Sequence, residues 1–240
     1  MAVRRRVGVL GGMGPEATVL FMQRVIELTE VADDQDHVPL LVDSNPQVPS
    51  RVKALVEGTG ADPAPVLVAM ARGLEAAGAE ALAMPCNTAH HFAPAISAAV
   101  GIPFLDMVAL SAEHMAGLGA RRVGILASPA VRLTGIFERP FSDLGIVPLY
   151  AGGDDLLLEA IRAVKVRQYE PARRTLAAAA ADLERAGADA LLVACSEFSI
   201  ITEAARNVLP LADTIDVLAE EVVAFSCAPA GIVRGFARNA

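Results

Sequence analysis

The chain has 240 residues, of which 54% are apolar, and it carries a formal net charge of −8 at pH 7. This length and apolar content allow one large or two small domains with a substantial core. The acidic balance argues against nucleic acid as a partner, because binding to phosphates needs a basic face.

The three cysteines and the hydropathy pattern predict a cytoplasmic protein. No uncharged apolar run reaches the roughly 18 residues that a membrane span needs, so no membrane partner is expected. Three arginines at positions 4–6 mimic the start of a signal peptide, but the apolar run after them is short and rich in glycine. Without a secretory signal, the cysteines are expected to stay free thiols in a reducing cytosol.

Apolar runs alternate with helical patterns along the first half of the chain. Pro15 suits the first position of a helix, and Glu16 favours the positive end of its dipole. The patterns predict strands at 5–11, 38–43, 79–84 and 102–105, helices at 15–29, 65–77 and 88–100, and a polar loop at 44–51.

The second half repeats this order of elements. Strands are predicted at 121–127, 147–149, 189–194 and 209–213, and helices at 133–144, 155–165, 170–186 and from 197. Residues 74–86 read LEAAGAEALAMPC and residues 183–195 read LERAGADALLVAC, so eight of thirteen positions are identical at a constant offset of 109. Each copy of this repeat ends at a cysteine, Cys86 or Cys195.

The repeat predicts an α/β protein built from two equivalent units. Alternating strands and helices give parallel sheets that are covered on both faces. Such units bind ligands beyond the carboxyl ends of their strands, where Cys86 and Cys195 both fall. Two duplicated domains that face each other would therefore place the two thiols on opposite walls of one interdomain cleft.

Two facing thiols are suited to racemisation. A racemase removes a proton from one face of a stereocentre and returns a proton to the other face. Cysteine can do both because its ordinary pKa of about 8.5 lies near working pH. Donors aimed at the α-carboxylate must stabilise the developing carbanion, and the polar pairs Asn87-Thr88 and Ser196-Glu197 follow the two cysteines.

Three segments resemble the aspartate/glutamate racemase family. They are GGMGPEAT at residues 11–18, PCNTAH at 85–90 and CSEFS at 195–199, and the resemblance reaches to about residue 223. The match is closer to the aspartate-racemase branch, since Gly-Gly-Met and Ser-Glu stand where glutamate racemases usually have Asp-Ser-Gly and Thr-His. The family resemblance implies cofactor-independent racemisation of an acidic amino acid, aspartate or possibly glutamate, with Cys86 and Cys195 as catalytic residues.

The resemblance also implies the domains, the binding residues and the assembly. It implies two pseudosymmetric domains with four-stranded sheets, joined near 107–112, with a last helix at 214–224 that returns to the first domain. The first domain would be 1–108 plus 213–240, and the second 109–212. The family resemblance implies a homodimer that needs no metal and no cofactor. Substrate binding is assigned to Met13, Gly14, Arg51, Asn87, Thr88, Ser128, Lys165, Ser196 and Glu197.

Other functions stay open at this point. A cysteine hydrolase would use Cys86 as nucleophile and His90 or His91 as base, although it leaves Cys195 unexplained. A two-domain amino-acid binding protein would use the same cleft without turnover. The run Gly12-x-Gly14-x-x-Ala17 fits a loose dinucleotide fingerprint. The acidic residue that a dinucleotide site needs would lie in the polar segment before the second strand and not at the end of that strand. We therefore interpret the turn as a site for an anionic group of the substrate.

Two further residues are interpreted as structural. His90 is expected to cap or brace the helix beside Cys86, because a lone Cys-x3-His spacing is weak evidence for zinc. Cys227 has no partner in the repeat and is expected to be a bystander.

Overall fold

The computed structural model describes residues 4–228, and these form two four-stranded parallel sheets flanked by helices, as predicted. The strands of the first sheet are β1 (Val7–Gly11), β2 (Leu40–Ser44), β3 (Ala81–Ala83) and β4 (Phe104–Leu105). The strands of the second sheet are β5 (Arg122–Ala127), β6 (Val147–Tyr150), β7 (Ala190–Ala194) and β8 (Leu211–Asp213). Their orders, β2-β1-β3-β4 and β6-β5-β7-β8, are the same, which confirms the duplicated architecture.

The helices follow the predicted order with several short additions. The helices are α1 (Pro15–Leu28), α2 (Arg51–Leu55), α3 (Ala64–Ala76), α4 (Ala93–Ser97), α5 (Met107–Gly117), α6 (Pro129–Thr134), α7 (Glu138–Asp143), α8 (Asp154–Lys165), α9 (Tyr169–Arg185), α10 (Ser196–Ser199) and α11 (Thr214–Cys227). Short 3-10 turns cover Asp34–Asp36, Thr88–Phe92 and Thr202–Ala205. Within residues 4–228, no helix has both the length and the apolarity needed to cross a bilayer.

The repeated motif Val-Gly of β1 and β5 has a packing reason. A Cβ on Gly8 would lie 3.0 Å from Leu74 Cβ on α3. A Cβ on Gly124 would lie 3.0 Å from Leu183 Cβ on α9, the residue that matches Leu74 in the repeat. In both halves, glycine therefore lets the long helix before the cysteine strand approach the first strand closely.

Helices α5 and α11 cross between the two halves of the molecule. Met115 and other α5 residues pack in the core cluster of the second sheet, although α5 directly follows β4 of the first. Conversely, Ile215, Leu218 and Val222 of α11 pack in a core cluster of the first sheet, although α11 follows β8 of the second. The division at residues 108 and 213 stays a prediction, and its last residues, 229–240, lie outside the described part of the chain.

Several predicted elements were wrong in extent. The predicted helix at 133–144 is two helices, because Gly135 adopts a left-handed conformation with φ 62° and ends α6. The predicted helix at 88–100 is a 3-10 turn followed by α4, and the helix expected from 197 is the four-residue α10. Residues 107–112, predicted to join the halves, are the first turns of α5, and neither α5 nor α2 was predicted as a helix.

Candidate active site

The cleft between the two sheets encloses a cavity of about 50 Å³. The first half contributes Met13, Ser50, Arg51, Val52, Cys86, Asn87 and Thr88, and the second contributes Ser128, Ile161, Lys165, Cys195, Ser196 and Glu197. The cavity therefore brings together every predicted site residue except Gly14. Gly14 lines an adjoining cavity of about 600 Å³, which shares Arg51, Lys165 and Glu197 with the first.

The two thiols occupy equivalent positions in the two sheets. Cys86 follows β3 after a two-residue link, and Cys195 directly follows β7, where it occupies the position before the first residue of α10. Strands β3 and β7 each lie between two other strands, so both cysteines sit at the carboxyl ends of interior strands. Their exposed fractions are 5% and 6%, and neither forms a disulfide.

A cluster of polar groups surrounds Cys195. Its Sγ donates to Glu197 Oε2 over 3.4 Å, and Lys165 Nζ lies 3.4 Å from Glu197 Oε1. Burial raises the pKa of the Cys195 thiol well above its ordinary value, and the negative charge of Glu197 raises it further. Cys195 is therefore held as a protonated thiol by its surroundings.

Two side chains in the cavity have polar atoms without a hydrogen-bond partner in the described part of the chain. Arg51 donates through Nη1 to the carbonyl oxygens of Val48 and Pro49, while its buried Nε has no hydrogen-bond partner among the described residues. Asn87 donates through Nδ2 to Thr214 Oγ1 over 2.9 Å, and its buried Oδ1 has none. Because buried polar groups rarely stay unpaired, both are suited to contact a ligand.

Two hydrogen bonds connect the halves around the cleft. Thr88 Oγ1 lies 3.3 Å from Ser128 Oγ, so a hydroxyl pair bridges the cavity wall. At the wider opening, Tyr169 donates to Glu16 Oε1 over 2.6 Å, joining the start of α9 to the start of α1.

His90 is a structural brace, as interpreted from the sequence. Met107 N donates to His90 Nε2 over 3.1 Å, so Nδ1 carries the proton and donates to the carbonyl oxygen of Cys86 over 2.9 Å. Burial lowers the pKa of His90, which keeps the ring neutral. His91 is exposed and packs edge-on against Phe92. Neither histidine lines the cavity, which leaves the hydrolase alternative without its base.

The remaining cavity residues were missed by the sequence analysis. Ser50 caps α2 by accepting from Lys53 N, a role that a serine before a short helix can signal. Val52 and Ile161 are apolar and belong to no motif, so nothing in the sequence marked them. Cys227 is exposed, contacts Arg4 and does not line the cavity.

A larger groove of about 630 Å³ lies elsewhere, beside β8. It is lined by the loop before β8, by α11 and by His114 of α5, and it contains no thiol. The chemistry of paired thiols therefore belongs to the smaller cavity.

The chain has a duplicated α/β fold with one thiol from each half in a shared cleft, and known proteins match it over most of its length. The profile of the Asp/Glu/Hydantoin racemase family matches residues 10–222. An aspartate racemase structure from Picrophilus torridus is 31% identical, with a TM-score of 0.84, and the match covers 92% of this chain and 94% of that one. The chain belongs to the Asp/Glu/Hydantoin racemase family and is an amino-acid racemase.

Two more distant matches extend the comparison. The broad specificity amino-acid racemase RacX of Bacillus subtilis is 22% identical over 231 residues, which cover 90% of this chain and 96% of RacX. A glutamate racemase from Bacillus anthracis is 15% identical with a TM-score of 0.69, covering 92% of this chain and 81% of that one. At this identity the second comparison concerns the fold alone.

Proposed function

We propose that the protein racemises an acidic amino acid, aspartate foremost and glutamate as the second candidate, by proton transfer between Cys86 and Cys195. The observation that carries the proposal is the placement of two buried free thiols in one cavity, each at the end of an interior strand of its own sheet. A hydrolase needs one thiol and a base, whereas transfer across both faces of a carbon needs two acid/base groups.

The reaction needs one thiolate and one thiol at a time. The thiolate removes the α-proton and becomes a thiol, and the opposite thiol gives its proton to the other face and becomes a thiolate. The surroundings of Cys195 favour the thiol, so Cys195 is assigned as the first proton donor, and the roles of the two thiols exchange for the other enantiomer.

Polar groups on both walls would hold the substrate. Asn87 and Thr88 from the first half and Ser196 from the second are assigned to the α-carboxylate, whose charge grows as the carbanion forms. Arg51 and Lys165 are assigned to the distal carboxylate, since a planar guanidinium can grip a carboxylate with two bonds. The 31% identity to an aspartate racemase supports aspartate, while the likeness to RacX supports tests of further amino acids.

The remaining features of the proposal concern the setting of the enzyme. The transfer between thiols requires no cofactor, because both protons travel through protein side chains. Two buried unpaired cysteines support a reducing cytoplasm. We also propose a homodimer, which light scattering tests directly: a molecular mass of one chain would contradict it.

Incubation of L-aspartate and D-aspartate with the enzyme in D2O tests the proposed function. We expect both enantiomers to gain deuterium at the α-carbon and to lose optical rotation, whereas a binding protein would leave both unchanged. L-glutamate and D-glutamate in the same assay decide between the two acidic substrates.

Substitution of each thiol tests the two-base mechanism. Cys86→Ala and Cys195→Ala should each abolish racemisation, while the remaining thiol still exchanges the α-proton of one enantiomer with solvent. The two variants should therefore show opposite preferences in deuterium exchange. Cys227→Ala is the matched control, because this thiol is exposed and outside the cavity. The same preference in both variants, or equal damage from Cys227→Ala, would contradict the assignment.

A further inference from the structure

The first turn of α11 is tied to the turn that carries Cys195. Asp213 is buried and caps α11 by accepting from Ile215 N over 2.9 Å. The same carboxylate accepts from Ser199 Oγ over 2.8 Å and from Thr202 Oγ1 over 2.6 Å. Ser199 lies at the end of α10, and its N–H donates to the carbonyl oxygen of Cys195 over 3.0 Å. Ser199 thus links the Cys195 turn to Asp213.

The next residue of the chain is tied to the turn that carries Cys86. Thr214 is fully buried, and its Oγ1 accepts from Asn87 Nδ2 over 2.9 Å. Asn87 directly follows Cys86. Two adjacent residues, Asp213 and Thr214, therefore hold the turns of both thiols, although these turns belong to different sheets.

This pair of residues lies where the chain crosses from the second half to the first. Asp213 ends β8 of the second sheet, and Thr214 begins α11, which packs on the first. A rigid peptide unit joins the two anchors, so a shift of one thiol turn is transmitted to the other. Transfer across one carbon needs both sulfurs at a fixed separation, and a misplacement of about 1 Å can cost about a hundredfold in rate.

We propose that Asp213 and Thr214 form a joint that sets the spacing of the two thiols, with Ser199 and Asn87 as its two arms. The proposal rests on the proposed function, because it takes both cysteines as the catalytic pair. Asp213 and Thr214 are positioning residues, since they act through the arms and do not line the cavity.

Conservative substitutions separate the two arms of the joint. Ser199→Ala removes the hydroxyl that reaches Asp213, and Thr214→Val removes the acceptor of Asn87 at nearly constant volume. Thr202→Ala is the matched control, because it removes another hydroxyl from the same Asp213 carboxylate. Thr202 also reaches the carbonyl oxygen of Phe198 over 3.3 Å, but it does not bond to Cys195. Thr214→Ser keeps the acceptor and should restore the activity that Thr214→Val loses.

The deuterium content of each recovered aspartate enantiomer tests the two arms separately. In Ser199→Ala, Cys195 is displaced and protonates the carbanion less often. The carbanion that Cys86 forms is then reprotonated by Cys86 itself, so the starting enantiomer is recovered with more deuterium. In Thr214→Val the opposite enantiomer should gain deuterium. We expect kcat to fall about tenfold or more in both variants and to stay within about twofold of the wild type in Thr202→Ala and Thr214→Ser. A merely structural role would lower thermal stability without any difference between enantiomers.

The single cysteine variants serve as the reference for this experiment. If Cys86→Ala and Cys195→Ala do not show opposite preferences, the proposed function fails. If they do, but Ser199→Ala and Thr214→Val favour the same enantiomer or match Thr202→Ala, the joint is overturned while the proposed function stands.

Discussion

At the scale of single residues, Glu197 favours the protonated form of Cys195. Glu197 carries the one carboxylate among the described residues that line the cavity. This carboxylate accepts a hydrogen bond from Cys195 and forms an ion pair with Lys165. Burial and the Glu197 charge both raise the pKa of Cys195. The protein thereby selects the protonated form of one thiol before substrate arrives.

Glu197→Gln should lower the pKa of Cys195. The substitution removes the charge that disfavours the thiolate, while burial, the larger cause, still holds the pKa above its ordinary value. Alkylation by iodoacetamide, followed for each cysteine peptide between about pH 6 and pH 10, measures the change, because only the thiolate reacts. Cys195 should react at lower pH in the variant.

Glu16→Gln is the control for this prediction, since Glu16 lies at the cleft opening and bonds to Tyr169 and not to a thiol. An alkylation curve of Cys195 that is unchanged in Glu197→Gln would contradict the electrostatic role of Glu197.

The sequence predicted the residues of the cavity that belong to motifs, and it missed those that reach the cavity through packing. Cys86 and Cys195 follow from the repeat, because strand ends in equivalent units meet at one cleft. Val52 and Ile161 line the same cavity as ordinary apolar residues, and only the packing of α2 and α8 brings them there. The bond between Asn87 and Thr214 could not be predicted from the sequence for a similar reason, because the two residues are 127 positions apart.

At the scale of elements, the turn between β1 and α1 positions the first wall of the cleft. Gly12 has φ 86°, and its N–H donates to Thr18 Oγ1 over 2.9 Å. A Cβ on Gly12 would lie 2.4 Å from the backbone carbon of Asn45, in the turn after β2. Glycine is therefore required here both by the backbone conformation and by the close approach of a second loop.

Gly12→Ala should destabilise the protein by about 3 kcal/mol or more, because the left-handed backbone is strained and the loop after β2 must also move. Urea unfolding measures the change. Gly58→Ala is the matched control, since Gly58 also has a positive φ of 66° but a Cβ there meets nothing within 4 Å. It should cost about 1–2 kcal/mol. Equal losses in the two variants would show that the contact with Asn45 contributes nothing.

The long elements were predictable because they carry strong periodic patterns, and the short ones were not. The helix predicted at 170–186 is α9, Tyr169–Arg185, and that at 155–165 is α8, Asp154–Lys165. The short helices near the cleft are interrupted by local geometry, such as the left-handed Gly135, which a helical pattern does not reveal. Errors therefore concentrate in the short helices, whose ends depend on local backbone geometry.

At the scale of the whole molecule, a hydrogen bond joins the two halves at the mouth of the cleft. The cavity of about 50 Å³ that both thiols line adjoins a cavity of about 600 Å³, which is lined by Glu16 of the first half and Lys165 of the second. Separation of the two halves would widen this entrance, and the bond between Tyr169 and Glu16 opposes such a movement.

Tyr169→Phe should weaken the binding of aspartate and speed its exchange, because the hydroxyl that donates to Glu16 stabilises the closed arrangement. We expect Kd to rise by about threefold to tenfold, as for the loss of one ordinary hydrogen bond that contributes about 1 kcal/mol. Calorimetry in a Cys195→Ala background measures Kd without racemisation. Tyr150→Phe is the matched control, because Tyr150 also donates to a glutamate, Glu138, but both belong to the second half. An equal effect of the two substitutions would show that the bond across the cleft does not control closure.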